Sequence, residues 1–167
     1  MYNFYTLNNQ DTSSTSSNNT VTITINESLT NNTFYSLFEA YYNDASEENE
    51  NKLGEHINTI DYLIGIIPDE NTIINDTHTQ LTVKAMDDLN FLISTTEERE
   101  VFLPAFTDMR ELQRWYTEPV YTLKVPAEWL WKFVLNQNNL SGIVFNPASI
   151  GWDISLEHIQ SLLEDLK

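Results

Sequence analysis

The 167-residue chain contains no cysteine. That excludes a disulfide framework, thiolate-held zinc and a thiol nucleophile. It is consistent with a reducing compartment, and the expected location is the cytoplasm. Glycine is scarce at 4 residues, and neither a phosphate-cradling glycine loop nor a Gly-x-Ser-x-Gly elbow is present. Basic residues are equally scarce. Eight Lys and Arg face 25 Asp and Glu, for a formal net charge of −17. Such a chain repels phosphate backbones, which argues against nucleic-acid binding. Long apolar runs are missing as well. The densest, residues 62–67, is far too short to span a membrane, and the first residues lack the basic start and apolar run of a secretory signal. The 3 histidines, His56, His78 and His158, show no dense ligand spacing. Asp76 and His78 would share one side of a strand, but their polar neighbours read as a loop, and neither a metal nor another cofactor is expected.

What remains is enough to build a fold. At this length one domain is the natural count, and it can bury a core without staples. Residues 8–20 are almost all Asn, Ser, Thr, Gln and Asp and cannot offset the entropy of ordering. Residues 1–20 are therefore expected to form a disordered or loosely held leader, with a single domain over 21–167. Polar and β-branched residues alternate over 20–26, as an edge strand or an arm ordered on a partner would require. Phe34, Leu37, Phe38 and Tyr41 mark one face of a helix. After a break at 43–46, Leu53, Ile57 and Ile60 suggest a second helix with an acidic outer face. Gly54 weakens that helix, because glycine in a helix interior costs about 1 kcal/mol relative to Ala.

Residues 62–67 read as a buried strand stopped by Pro68, and 81–83 and 89–93 as further strands. A polar link at 95–98 suggests a hairpin into the strand at 101–106. Thr107 or Asp108 can cap the next helix, with Glu111 three residues after Asp108, as a capping-box acid would be, and Met109, Leu112, Trp115 and Tyr116 inward. A strand at 119–125 follows, and Pro126 suits the first turn of a helix whose stripe is Ala127, Leu130, Trp131 and Val134. Residues 142–145 form a short buried strand stopped by Asn146-Pro147. Ser155 caps a last helix with Leu156, Ile159, Leu163 and Leu166 inward. The expected fold is α/β or α+β, a single mixed sheet of about five strands with helices packed on it.

The segment Phe102-Leu-Pro-Ala-Phe-Thr-Asp-Met-Arg-Glu-Leu-Gln-Arg-Trp115 resembles the strand–cap–helix signature of SseB-family proteins, named for an enhanced serine sensitivity phenotype. Gly142-Ile-Val-Phe-Asn-Pro-Ala148 is similar to that family's strand end, and element order agrees over residues 33–166. The resemblance implies a compact α/β domain with no established catalytic residues. The leader departs from the family pattern. The chain also ends soon after the last helix, so a function residing in the second domain of some relatives is not carried over.

Four residues are candidates for binding. Thr107 and Asn146 are explained as cap and turn residues. The alternative is that their strand ends line a ligand crevice, as strand ends do in open α/β sheets. Trp129 and Trp131 differ by about 200° around a helix, so they cannot share one core. Trp131 belongs to the apolar stripe, which leaves Trp129 outward. Trp152 follows Gly151 in what reads as a loop. An exposed Trp is a common interface anchor, and packing beneath the leader or the Trp152 loop is the other account of Trp129.

Charge is uneven: residues 1–100 hold 3 basic and 17 acidic residues, and 101–167 hold 5 and 8. This is a solvated surface or a steering surface for a basic partner. No catalytic constellation is visible, since the paired carboxylates are adjacent and point apart. The expected function is a non-catalytic protein-interaction module with a protein partner, possibly a basic one. The alternatives are an acidic inhibitor or immunity-type protein that neutralises a basic toxin or nuclease, and a small-molecule-binding protein or enzyme.

Overall fold

The alternating segment at 20–26 forms a strand, β1 (Val21–Thr24), in the computed structural model, which describes residues 20–70, 72–84 and 89–167. The leader's first 19 residues lie outside the described residues. Two helices follow, α1 (Asn32–Asn43) and α2 (Glu47–Ile57), capped by the side chains of Asn31 and Ser46. Each cap accepts an N–H that the first helical turn cannot satisfy itself. Then come β2 (Asp61–Ile67), β3 (Ile73–Ile74), β4 (Gln80–Val83), β5 (Asn90–Phe91), β6 (Ser94–Thr95) and β7 (Val101–Ala105). The last third alternates: α3 (Met109–Trp115), β8 (Tyr121–Pro126), α4 (Ala127–Leu135), β9 (Gly142–Phe145), β10 (Trp152–Ser155) and α5 (Leu156–Glu164).

The fold is mixed α+β, but it is not built on one five-stranded sheet. The strands form three small sheets, ordered β1-β4-β3, β10-β9-β7-β6 and β5-β2-β8. Among the described residues only β7 and β9 pair in parallel, and the other pairs are antiparallel. Two local features divide what sequence patterning would join. Asn26 adopts a positive φ of 58° and ends β1. Its N–H donates to Thr122 O at 2.9 Å, and its Oδ1 accepts from Thr122 N at 3.1 Å. A side-chain amide thus substitutes for the next strand residue and clamps the first sheet to β8. Likewise β7 gives way to α3 within a few residues of meeting β2. The only ladder contact there among the described residues is therefore an isolated bridge between Leu63 of β2 and Phe106, the residue just after β7, closed by two 2.9 Å hydrogen bonds.

The hairpin between β6 and β7 forms as the polar link suggested. The α4 stripe of Ala127, Leu130, Trp131 and Val134 is buried as its spacing requires. Pro126 stands just before that helix, at its N-cap rather than in its first turn. The 89–93 strand shrinks to β5. In α5 the inward residues are Ile159 and Leu162, with Leu156 and Leu163 partly buried and Leu166 39% exposed. The helix ends before Leu166 can turn inward.

The main core is aromatic at its centre. Tyr62 stacks on Phe145 with ring centroids 5.1 Å apart, and Trp131 lies 5.7 Å from Tyr62. Both buried polar tips are satisfied: Tyr62 Oη donates to Ile57 O at 2.8 Å, and Trp131 Nε1 donates to Asn58 Oδ1 at 2.8 Å. A smaller cluster of Leu63, Phe106 and Leu112 fills the opposite face of β2. At Gly142 the backbone of β10 passes close to β9, and a Cβ there would sit 2.1 Å from Ile154 O. Among the described residues no helix is long and apolar enough to cross a membrane.

Candidate functional site

Thr107 and Asn146 stand just beyond the ends of the parallel strands β7 and β9, which places them side by side although 39 residues separate them in sequence. Both are fully buried. Thr107 N donates to Asn146 Oδ1 at 3.0 Å, and Asn146 Nδ2 donates to Thr107 Oγ1 at 2.8 Å. Thr107 Oγ1 in turn faces Tyr35 Oη at 3.4 Å. Asn146 holds a φ of 43°, a conformation Asn tolerates better than most residues. Its carbonyl collects the N–H groups of Ser149, Ile150 and Gly151 at 3.0–3.1 Å, which turns the chain back into β10.

Two buried carboxylates flank this pair. Asp108 caps α3, its Oδ1 accepting from Glu111 N at 3.1 Å and its Oδ2 from Arg110 Nη2 at 3.0 Å. Glu111 sits at the capping-box position. Its carboxylate, however, takes Arg114 Nη1 at 3.0 Å and the hydroxyl of Ser149. All four carboxylate oxygens are therefore engaged. Burial pushes the Tyr35 phenol above its ordinary value, and the charges of Asp108 and Glu111 push the same way. The arrangement locks two strand ends and a helix start together. Its groups are committed to one another.

The metal candidates do not assemble. Asp76 and His78 are exposed in a turn, and no three His, Asp or Glu side chains gather as a metal site requires among the described residues.

The two tryptophan candidates have different surroundings. Trp129 is half-buried while Trp131 is fully buried, as the 200° separation demands. Trp129 stacks on Phe133 at 4.9 Å with planes 7° apart, and Phe133 packs edge-on against Phe91. Trp152 lies on a strand, β10, rather than in a loop, because residues 152–155 pair with β9. Its ring touches Phe38, Tyr41 and Phe145 at centroid distances of 5.5–6.4 Å.

Trp152 and Ile154, two apart on β10, share one face. That face lines a groove of about 730 Å³ shared with α2 and α5. Leu53 and Ile57 of α2, and Leu162 and Leu166 at the α5 end, add apolar surface. Glu50, Glu55 and Asp165 add acid, and among the described residues no Lys or Arg lines the groove. Asn58, at the C-cap of α2, fixes the spacing. Its Oδ1 accepts from Trp131 on α4, and its Nδ2 donates to Leu162 O on α5 at 3.0 Å. The groove is thus built into the fold by a half-buried hydrogen-bonded joint. Trp129 does not line it.

Sequence reasoning found Trp152 but missed the groove. Leu53 and Ile57 were legible as an apolar face, and both are buried, yet nothing local indicates that a groove opens between α2, β10 and α5 beside them. The one available signal was Gly54, a helix-interior glycine in that same stretch.

The family model of the SseB protein N-terminal domain matches residues 37–160, which is most of the chain. The match takes in both the Thr107–Asn146 joint and most of the groove. No curated protein and no solved structure matches.

Proposed function

The chain belongs to the SseB family, and from that premise we propose that it is a non-catalytic, cytoplasmic protein-interaction module. Its contact surface is the groove floored by Trp152. One observation carries this reading: a large, half-buried aromatic side chain lines a partly apolar groove whose fully charged lining residues, Glu50, Glu55 and Asp165, are all acidic among the described residues. Such a setting suits an interface anchor. The engaged carboxylates beside Thr107 and Asn146 support a structural role for that pair.

The test is affinity capture from the native cell with the parent chain, Trp152→Ala and Trp129→Ala. Trp152→Ala should lose the captured protein while Trp129→Ala keeps it. Loss with Trp129→Ala alone overturns the groove in favour of the α4 surface. The net charge of −17 favours a second reading, an acidic inhibitor that blocks a basic toxin or nuclease by broad charge complementarity. In that case capture survives both Trp substitutions and collapses in salt.

A further inference from the structure

We infer that the groove takes a cationic segment of a partner protein, anchored by an apolar side chain over Trp152 and running close against the bare backbone at Gly54. This rests on the interaction reading above and adds the chemistry of the occupant.

Charge gives its sign. The groove carries Glu50, Glu55 and Asp165, with His158 as its one basic side chain among the described residues. The chain as a whole is at −17, so a second copy would bring acid against acid. The floor of Trp152 and Ile154, walled by Leu53 and Leu162, supplies the apolar share.

Gly54 gives the position. It lies inside α2, where glycine disfavours the helix, and its backbone needs no positive φ. Beyond its chain neighbours and its own helix backbone, a Cβ built there meets no heavy atom within 4 Å, so no described tertiary contact requires its absence. Gly54 nonetheless lines the groove. A missing side chain that the fold itself does not need, at the wall of an open groove, is accounted for by close approach of something outside the fold.

The test is display of a random 16-residue peptide library on the immobilised full chain, followed by titration of synthesised winners. The winners should carry net positive charge with an aromatic or branched apolar residue. Their affinity should fall at least about tenfold between 0.1 and 1 M salt, as the screening length contracts from about 10 to 3 Å. The double variant Glu50→Gln with Glu55→Gln should weaken them about tenfold. Gly54→Ala should also weaken them about tenfold, the scale of one methyl group in a tight pocket. The same variant should melt about 2–4 °C above the parent, so lost binding cannot be lost folding. Neutral or acidic winners, or full affinity in Gly54→Ala, overturn the inference. If those peptides still depend on Trp152, the groove reading stands without it. Winners indifferent to Trp152→Ala, or no winners, remove both.

Discussion

Replacing Asn146 by Ala removes three supports at once. Thr107 N–H is fully buried and loses its acceptor, 3.0 Å away. An unsatisfied buried donor costs about 1–3 kcal/mol. Thr107 Oγ1 loses the donor at 2.8 Å, a net loss of about 0.5–1.5 kcal/mol. Alanine must also hold a φ of 43°, which costs about 1 kcal/mol more than it does for Asn. The expected destabilisation is about 3–5 kcal/mol. That is a large share of the stability of an ordinary domain. Urea unfolding followed by tryptophan fluorescence measures it, with an unchanged slope as the check on two-state behaviour. Two controls divide the total. Asn146→Gly loses the same hydrogen bonds but accepts positive φ, and should recover up to about 1 kcal/mol. Thr107→Val keeps the shape and removes the hydroxyl, so combining it with Asn146→Ala should cost clearly less than the two separate losses. An Asn146→Ala cost below about 1 kcal/mol, or strict additivity with Thr107→Val, would refute the joint as a cooperative unit.

Three further outcomes follow from individual environments. Burial holds the Tyr62 phenol well above 10.0, so its contribution to stability is full below about pH 10 and is lost as pH rises beyond it. Tyr62→Phe should cost about 1 kcal/mol at neutral pH by deleting the bond to Ile57 O, and should flatten the alkaline limb of a stability–pH curve. His56 has the opposite sign: burial depresses its pKa below 6.5, so its contribution is present above that pH and is lost as pH falls through the folded value. His56→Gln keeps a donor to Asn31 Oδ1 and should remove that acid-side slope in urea titrations. Gly142→Ala would place a methyl 2.1 Å from Ile154 O, a backbone atom that cannot swing aside. It should lower stability by at least about 3 kcal/mol or abolish the unfolding transition.

The sequence by itself determined the faces of this protein. Helical spacing identified Ala127, Leu130, Trp131 and Val134 as one buried stripe, and they are buried together. Residue chemistry placed Ser155, and either Thr107 or Asp108, at helix starts; Ser155 and Asp108 accept the expected N–H, whereas Thr107 does not cap α3 and spends its hydroxyl on Asn146 and Tyr35 instead. Uninterrupted apolar residues marked β2 and β9 as interior strands. These are local properties, set within a few residues by the 3.6 and 2.0 periods and by unsatisfied N–H groups. Partners were decided elsewhere. Asn26 reaches Thr122 across 96 residues, and that joint replaces the single sheet that patterning implied. Trp152 follows a turn glycine and reads as loop, until β9 supplies the pairing that makes it a strand. The groove depends on Asn58 meeting Leu162 across 104 residues. Periodicity tells a side chain whether to turn inward. Which distant segment meets it, and where two helices leave a gap between them, follows only from packing the whole chain, because no short stretch of sequence carries the geometry of a contact it does not itself contain.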